Sequence, residues 1–151
     1  MEFDLLLTLI KTKLNSGISQ KDGLQFICQF LHDHVESYDW VGYYLHNPEK
    51  KELVLKAYVG QPTDHTHIPF GKGICGQVAL SNKNFIVDDV SAQDNYIACS
   101  LDVKSEIVIP LFVKGNNIGQ IDIDSNNLQS FSEKDATFLS EVNRLVSIHL
   151  F

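Results

Sequence analysis

Residues 105–125, SEIVIPLFVKGNNIGQIDIDS, have the pattern of two β-strands joined by a tight turn. In both halves branched apolar residues alternate with other residues, and side chains that alternate in this way point to opposite faces of a sheet. Gly115, Asn116 and Asn117 lie between the halves and tolerate the positive φ that a short hairpin loop needs. We therefore predict an antiparallel hairpin with a three-residue loop.

The same alternation predicts a cluster of carboxylates. If the isoleucines of both strands face the core, then Glu106, Asp122 and Asp124 share the opposite face. Three carboxylates on one face repel one another, so the arrangement requires solvent, shared protons or a bound cation. Val108 and Phe112 fall on the same face, which favours a polar pocket with apolar walls over an ordinary wetted sheet surface.

The rest of the chain predicts helices at both ends and further strands between them. Besides the hairpin, the predicted elements are helices at 2–14, 20–37 and 132–150, a short helix near 77–80, and strands at 40–45, 53–59 and 85–87. Tight turns join most of the strands, so we expect an antiparallel sheet covered by helices on one face, in a single α+β domain over 1–151. The long polar segments 61–76 and 88–104 are predicted as irregular loops, and the first is a candidate binding loop.

Composition and charge exclude several functional classes. The 151 residues carry a net charge of −7, which opposes binding to nucleic acid or to an anionic membrane because such binding requires a basic surface. No segment approaches the roughly 20 apolar residues of a membrane-spanning helix, and the N-terminus lacks the basic start of a secretory signal. We therefore expect a cytoplasmic protein, in which three cysteines do not indicate a structural disulfide framework.

The three cysteines differ in context. Cys28 lies in the apolar stripe of a predicted helix and is expected to be an inert core residue. Cys75 follows a glycine-rich turn near a predicted helix start, which is typical either of a stabilised thiolate or of a small residue in a crowded turn. Cys99 lies just before the strand that carries Glu106. Two separated thiols near three carboxylates predict redox chemistry on a small cationic ligand.

A zinc site is a weaker hypothesis for the same region. Asp64, His65, His67 and Cys75 offer the ligand types that zinc binds. Their spacing matches no strong metal motif, so we expect no metal.

Five segments together resemble a GAF domain, and more closely the free methionine-(R)-sulfoxide reductases. The matching segments are 40–45, 68–76, 97–99, 105–111 and 118–125. The resemblance implies a GAF-like fold, with a central antiparallel sheet, the N- and C-terminal helices on one face and a loop-covered ligand pocket on the other. It also implies the thiol-dependent reduction of free L-methionine-(R)-S-oxide to L-methionine.

The resemblance further implies which residues bind the substrate. Trp40 would pack on the methyl-sulfoxide group, with Tyr44 of the same segment as a second binding residue. Glu106, Asp122 and Asp124 would hold the ammonium and protonate or orient the sulfoxide. This agrees with the carboxylate cluster, because a free amino acid carries a cation that protein-bound methionine lacks.

The implied chemistry uses two thiols and an external reductant. Cys99 would attack the sulfoxide sulfur, and the resulting sulfenic acid would condense with Cys75 to a Cys75–Cys99 disulfide, although the two roles could be exchanged. A thioredoxin-like donor would then reduce the disulfide, and no cofactor is expected. The family commonly carries a further cysteine ten residues before Cys75, where this chain has His65. If that thiol is the usual resolving group, Cys75 must replace it or turnover is slow.

Two other functions stay open. One is a non-catalytic GAF module that binds a small molecule or cyclic nucleotide, since Asn82, Lys83, Phe85 and Asp89 match part of the corresponding pattern, although Val90 stands where an acidic residue is expected. The other is a dimerising scaffold, in which the two terminal helices form a partner-facing bundle in a homodimer.

Overall fold

The computed structural model describes residues 2–93 and 102–151. Its elements are α1 Glu2–Leu14, α2 Gln20–His34, β1 Trp40–Asn47, β2 Glu52–Val59, β3 His67–Pro69, α3 Gly73–Ser81, β4 Phe85–Val87, a 3-10 turn at Val90–Ala92, β5 Ser105–Val113, β6 Asn116–Ser125 and α4 Glu133–Leu150. The strands form one antiparallel sheet in the order β3-β2-β1-β6-β5-β4. The α+β class predicted from the sequence is confirmed. Among the described helices, none combines the length and apolar character needed to cross a bilayer.

The main core lies between the sheet and the long helices. Helices α2 and α4 pack on one face of the sheet, and α1 packs on α4. Alternate residues of the central strands supply the sheet side of this core, because successive side chains point to opposite faces. These buried residues include Val41, Tyr43, Ile107, Ile109, Ile121 and Ile123. Cys28 of α2 is also buried there, as the sequence predicted.

A second, smaller core covers the other face and differs from the prediction. The loop predicted at 61–76 contains strand β3, which pairs with β2, and the first residues of helix α3. This helix begins at Gly73 rather than near 77, so Cys75 lies in its first turn. A helix as well as loops therefore covers the pocket face. Apolar side chains from α3, such as Ile74 and Val78, pack there against the sheet.

The hairpin between β5 and β6 has a different loop from the one predicted. The turn contains two residues, Lys114 and Gly115, with φ of 52° and 81°, as a mirror-type hairpin turn requires. A two-residue turn alone would place the carboxylates of the two strands on opposite faces. A bulge near Leu111 shifts the pairing by one residue, so Glu106 lies opposite Asp124. The prediction of a three-residue loop was wrong, whereas the predicted shared face is confirmed.

Asn143 of α4 connects the helix layer to the sheet. Strand β4 pairs with β5 only as far as Val108, so the carbonyl groups beyond it need other partners. The Asn143 side-chain nitrogen donates to the carbonyl oxygens of Ile109 at 3.1 Å and Pro110 at 3.0 Å. Its oxygen accepts a hydrogen bond from the Tyr43 hydroxyl at 2.7 Å. All three bonds are buried.

We predict that Asn143→Ala lowers the free energy of unfolding by about 2–4 kcal/mol, because it leaves two carbonyl groups and one hydroxyl buried without their partner. Tyr43→Phe is the matched control and should lower it by only about 1 kcal/mol, since it removes one of the three bonds. Urea denaturation measures both values. Equal losses in the two variants would contradict this role of Asn143.

Candidate functional site

The predicted carboxylate cluster is present and buried. Glu106 lies opposite Asp124 across the β5–β6 ladder, and Asp122 lies opposite Val108. Glu106 is 4% exposed and the two aspartates are 1% exposed, so this is not a wetted sheet face. Phe112, which the alternation assigned to the same pocket, is instead 43% exposed and lines a separate surface cavity beside α4.

Cys75 contacts the carboxylates directly. Its Sγ donates a hydrogen bond to Asp122 Oδ2 at 3.2 Å and lies 4.0 Å from Glu106 Oε2. Cys75 is the third residue of α3 and so lies in the first turn of this helix. The helix terminus favours a negative sulfur, but the neighbouring carboxylates favour a thiol that keeps its proton. The observed hydrogen bond requires the protonated thiol.

Glycines in the segment before and within α3 place Cys75 over the sheet. Gly71 and Gly73 have φ of 87° and 62°, a backbone conformation that glycine adopts without strain. A Cβ on Gly76 would lie 2.7 Å from the Pro69 carbonyl oxygen, so only glycine permits this close approach. The glycine-rich turn is therefore the local cause of the position of Cys75.

Burial sets the protonation of the carboxylates. It raises the pKa of Asp122 above the usual value, and hydrogen bonds to Glu106 and Cys75 offset part of that rise. A hydrogen bond between Glu106 and Asp122 requires that one of the two carboxyl groups carries a proton. Asp122 Oδ1 has no hydrogen-bond partner within residues 2–93 and 102–151. The pair therefore retains an acceptor that a donor or cation could use.

A small cavity lies over this pair. Its volume is about 10 Å³, which is room for one water molecule. Its walls are Tyr44, His65, Ile68, Gly73, Ile74, Cys75, Glu106 and Asp122. The Tyr44 hydroxyl donates to the His65 carbonyl oxygen at 2.9 Å and so fixes one wall. The structure thus brings together four of the predicted groups, namely Tyr44, Cys75, Glu106 and Asp122, and adds His65.

Trp40 and Asp124 lie on the same sheet face but are not among the described side chains that line this cavity. Trp40 is 4% exposed, stacks on Tyr58 with ring centres 5.7 Å apart, and donates its indole N–H to the Gln61 carbonyl oxygen. A Cβ on Gly42 would lie 2.3 Å from the indole, so this glycine makes room for the ring.

Gln120 is a site residue that sequence reasoning did not select. Its side chain is fully buried and donates to the Cys75 carbonyl oxygen at 3.1 Å, which ties α3 to β6. The alternation that placed Asp122 and Asp124 on the pocket face also places Gln120 there. The alternation along β6 could therefore have identified Gln120 from the sequence.

Cys99 lies outside the described residues, so its distance from Cys75 and the Cys75–Cys99 disulfide stay predictions. Asp64 and His67 are exposed, and neither belongs to a potential metal-ligand group within the described ranges. The one group found there joins Cys75, Glu106 and Asp122, whose ligand atoms all lie within 4.8 Å of one another.

The raised pKa of Asp122 predicts a pH-dependent effect of Asp122→Asn. Below pH 3.8, the ordinary Asp value, the carboxyl group is protonated in both the folded and unfolded protein. As the pH rises through the interval between the unfolded and folded pKa, the unfolded state loses its proton first and the wild type loses stability. The amide variant has no such loss, so its free energy of unfolding should fall less steeply than that of the wild type as the pH rises.

Chemical denaturation of both proteins between pH 3 and pH 8 measures this difference. Asp88→Asn is the control, because it makes the same chemical change at an exposed carboxylate. A free energy of unfolding that depends on pH as steeply in Asp122→Asn as in the wild type would contradict the raised pKa of this carboxyl group.

Comparison with known proteins identifies the fold. A family model described as GAF domain matches residues 19–150. GAF domain-containing protein A of Dictyostelium discoideum is 38% identical over 145 residues, which cover 96% of this chain and 90% of that protein. The crystal structure of free methionine-R-sulfoxide reductase from Neisseria meningitidis with its substrate superposes with a TM-score of 0.92 at 35% identity, covering 97% and 87% of the two chains. A putative GAF sensor protein from Burkholderia vietnamiensis has the same TM-score at 27% identity, covering 99% and 93%. The chain belongs to the GAF domain family, and reductases of free methionine-R-sulfoxide are among its similar proteins.

Proposed function

We propose that this protein reduces free L-methionine-(R)-S-oxide to L-methionine with thiol chemistry. The observation that carries the proposal is the buried Glu106–Asp122 pair in contact with the Cys75 thiol. Such a pair is suited to a ligand that is both a cation and a target for a thiol. The similarity to the reductase from Neisseria meningitidis, solved with its substrate, supports the same substrate class.

Substrate recognition depends on charge. The ammonium group of the free amino acid binds Glu106, Asp122 and Asp124, and Asp122 Oδ1 is an acceptor with no partner among the described residues. A buried carboxylate pair gains from a cation because the ligand replaces lost hydration. Trp40 packs on the methyl-sulfoxide end, and Tyr44 forms the wall beside it. Methionine sulfoxide within a protein chain lacks the ammonium and is rejected.

In the first chemical step, the Cys99 thiolate attacks the sulfoxide sulfur. The sulfoxide oxygen takes a proton from the Glu106–Asp122 pair and moves from the substrate sulfur to the Cys99 sulfur. The bond between the two sulfurs breaks, methionine leaves, and Cys99 becomes a sulfenic acid. The sulfoxide sulfur gains two electrons and the Cys99 sulfur loses two. A carboxyl group that keeps its proton is needed here, because the oxygen becomes basic as the bond to the substrate sulfur breaks.

In the second step, Cys75 attacks the sulfenic sulfur of Cys99. A disulfide forms as the S–O bond of Cys99 breaks, and the Cys75 proton passes by way of Asp122 to the hydroxyl group, which leaves as water. Asp122 is placed for this transfer, since it already accepts the hydrogen bond from the Cys75 thiol. Cys28 has no part in the cycle because it is buried in the opposite core. A dithiol donor of the thioredoxin type then restores both thiols.

We predict that pure protein with dithiothreitol forms methionine from the free R epimer and not from the S epimer. N-acetylation of the substrate removes the cation and should lower kcat/KM by at least about 100-fold, in line with the loss of a buried charge pair. Asp122→Asn should reduce this preference for the free amino acid, whereas Asp88→Asn should retain it. No methionine from the R epimer would contradict the proposed activity, and an unchanged preference in Asp122→Asn would contradict the role of this carboxylate.

The two cysteines can be separated in a single turnover without reductant. Cys75→Ser should release about one methionine per chain and stop at the sulfenic acid, because the attacking thiol is intact. Cys99→Ser should release none, and Cys28→Ala should behave as the wild type. Mass spectrometry of the protein and amino-acid analysis of the product measure each step. Release by Cys99→Ser but not by Cys75→Ser would show that the roles are exchanged.

A sensor function is the second candidate, and the position of His65 favours it. This residue lines the cavity, at the position for which the family resemblance implies a cysteine, and the putative GAF sensor protein from Burkholderia vietnamiensis has the same fold. Calorimetry with cyclic nucleotides distinguishes the two functions. A submillimolar complex together with no methionine formation would favour the sensor.

A further inference from the structure

The pocket holds a set of atoms with the chemistry of a metal site. Cys75 Sγ, a Glu106 oxygen and an Asp122 oxygen all lie within 4.8 Å of one another, and all three residues are buried. Ligand atoms around a tetrahedral zinc ion are about 3.3–3.8 Å apart, as follows from bond lengths of about 2.0–2.3 Å. The Cys75 Sγ to Asp122 Oδ2 distance is already 3.2 Å. Small side-chain shifts would complete the set.

Two further observations point to a ligand here. Asp122 is 1% exposed and lines the cavity, yet its Oδ1 has no hydrogen-bond partner within the described ranges. The cavity itself has a volume of about 10 Å³, enough for one small ion or water molecule. The three residues come from α3, β5 and β6, so the fold holds them in place without a ligand.

We propose that Cys75, Glu106 and Asp122 form a binding site for a divalent cation of the zinc class. Binding releases the Cys75 thiol proton and the proton shared by the carboxyl pair to solvent, and one water molecule occupies the fourth position. The thiolate ligand selects zinc over magnesium or calcium, which prefer oxygen ligands alone. The ion is not needed for the reduction. It occupies the place of the substrate ammonium and blocks the thiol.

The binding site itself is independent of the reductase activity, whereas the inhibition that follows from it rests on the proposed function. Zinc should therefore inhibit methionine formation in competition with the sulfoxide, and a chelator should restore the rate. This makes the carboxylate–thiol pocket a point at which available zinc regulates the enzyme.

The test titrates the reduced protein with Zn²⁺ and with Co²⁺, whose thiolate complexes absorb in the near ultraviolet. One equivalent of either ion should bind, and cobalt should give the sulfur-to-metal band. Cys75→Ser should abolish the band, and Asp122→Asn should weaken zinc binding by at least about tenfold, since even outer partners of metal ligands contribute 10–100-fold. Circular dichroism checks that each variant is folded, and Cys75→Ala provides a second thiol variant.

The controls leave the three ligands intact. Asp88→Asn, His67→Ala and Cys99→Ser should all retain the cobalt band and the zinc affinity. Retention of the band in both Cys75 variants, or its loss in Cys99→Ser, would overturn the assignment. The metal site and the proposed function can fail separately. If the protein binds cobalt through Cys75 but forms no methionine when a chelator is present, the metal site is supported and the reductase activity is rejected.

Discussion

The burial of acidic side chains beneath helix α3 is the constraint on which the rest of the site depends. Glu106, Asp122 and Asp124 are almost fully inaccessible to solvent. A carboxylate in such a place is unfavourable unless it holds a proton, a hydrogen-bond donor or a cation. The Cys75 thiol, which donates to Asp122 Oδ2, satisfies part of this requirement. Asp122 Oδ1 has no hydrogen-bond partner within the described residues, and the proposed ammonium or metal ion would offset the cost of burying this group.

Much of this arrangement could be predicted from the alternation along two strands. The alternating isoleucines assigned the acidic side chains of both strands to one face of the sheet. This assignment is correct although the predicted loop length was wrong, because the bulge near Leu111 shifts the register by one residue and places Glu106 opposite Asp124. The alternation of side chains shows which face of the sheet a residue lies on, but not how far along the strand it lies from the pocket. It therefore assigned Phe112 to the pocket, although this residue lies past the bulge at the edge of the sheet.

Other features depend on tertiary contacts that no local pattern shows. Helix α3 begins four residues earlier than its apolar run suggested, because close backbone contact at Gly76 and positive φ at Gly71 and Gly73 set the turn before it. Strand β3 is only three residues long and forms through pairing with β2. The contact of Cys75 with Asp122 joins residues 47 positions apart, so spacing could suggest a reactive thiol but not its carboxylate partner.

The most direct test of the account is the protonation of Asp122 in the folded chain. Carbon-13 NMR of the labelled carboxyl carbons, assigned with Asp122→Asn, follows its titration with and without bound substrate. The account predicts that the Asp122 resonance titrates above the ordinary pKa of an aspartate, 3.8. It also predicts that the free sulfoxide amino acid lowers this pKa, because its ammonium stabilises the charged form. Titration at the ordinary value that is insensitive to the ligand would contradict the central claim.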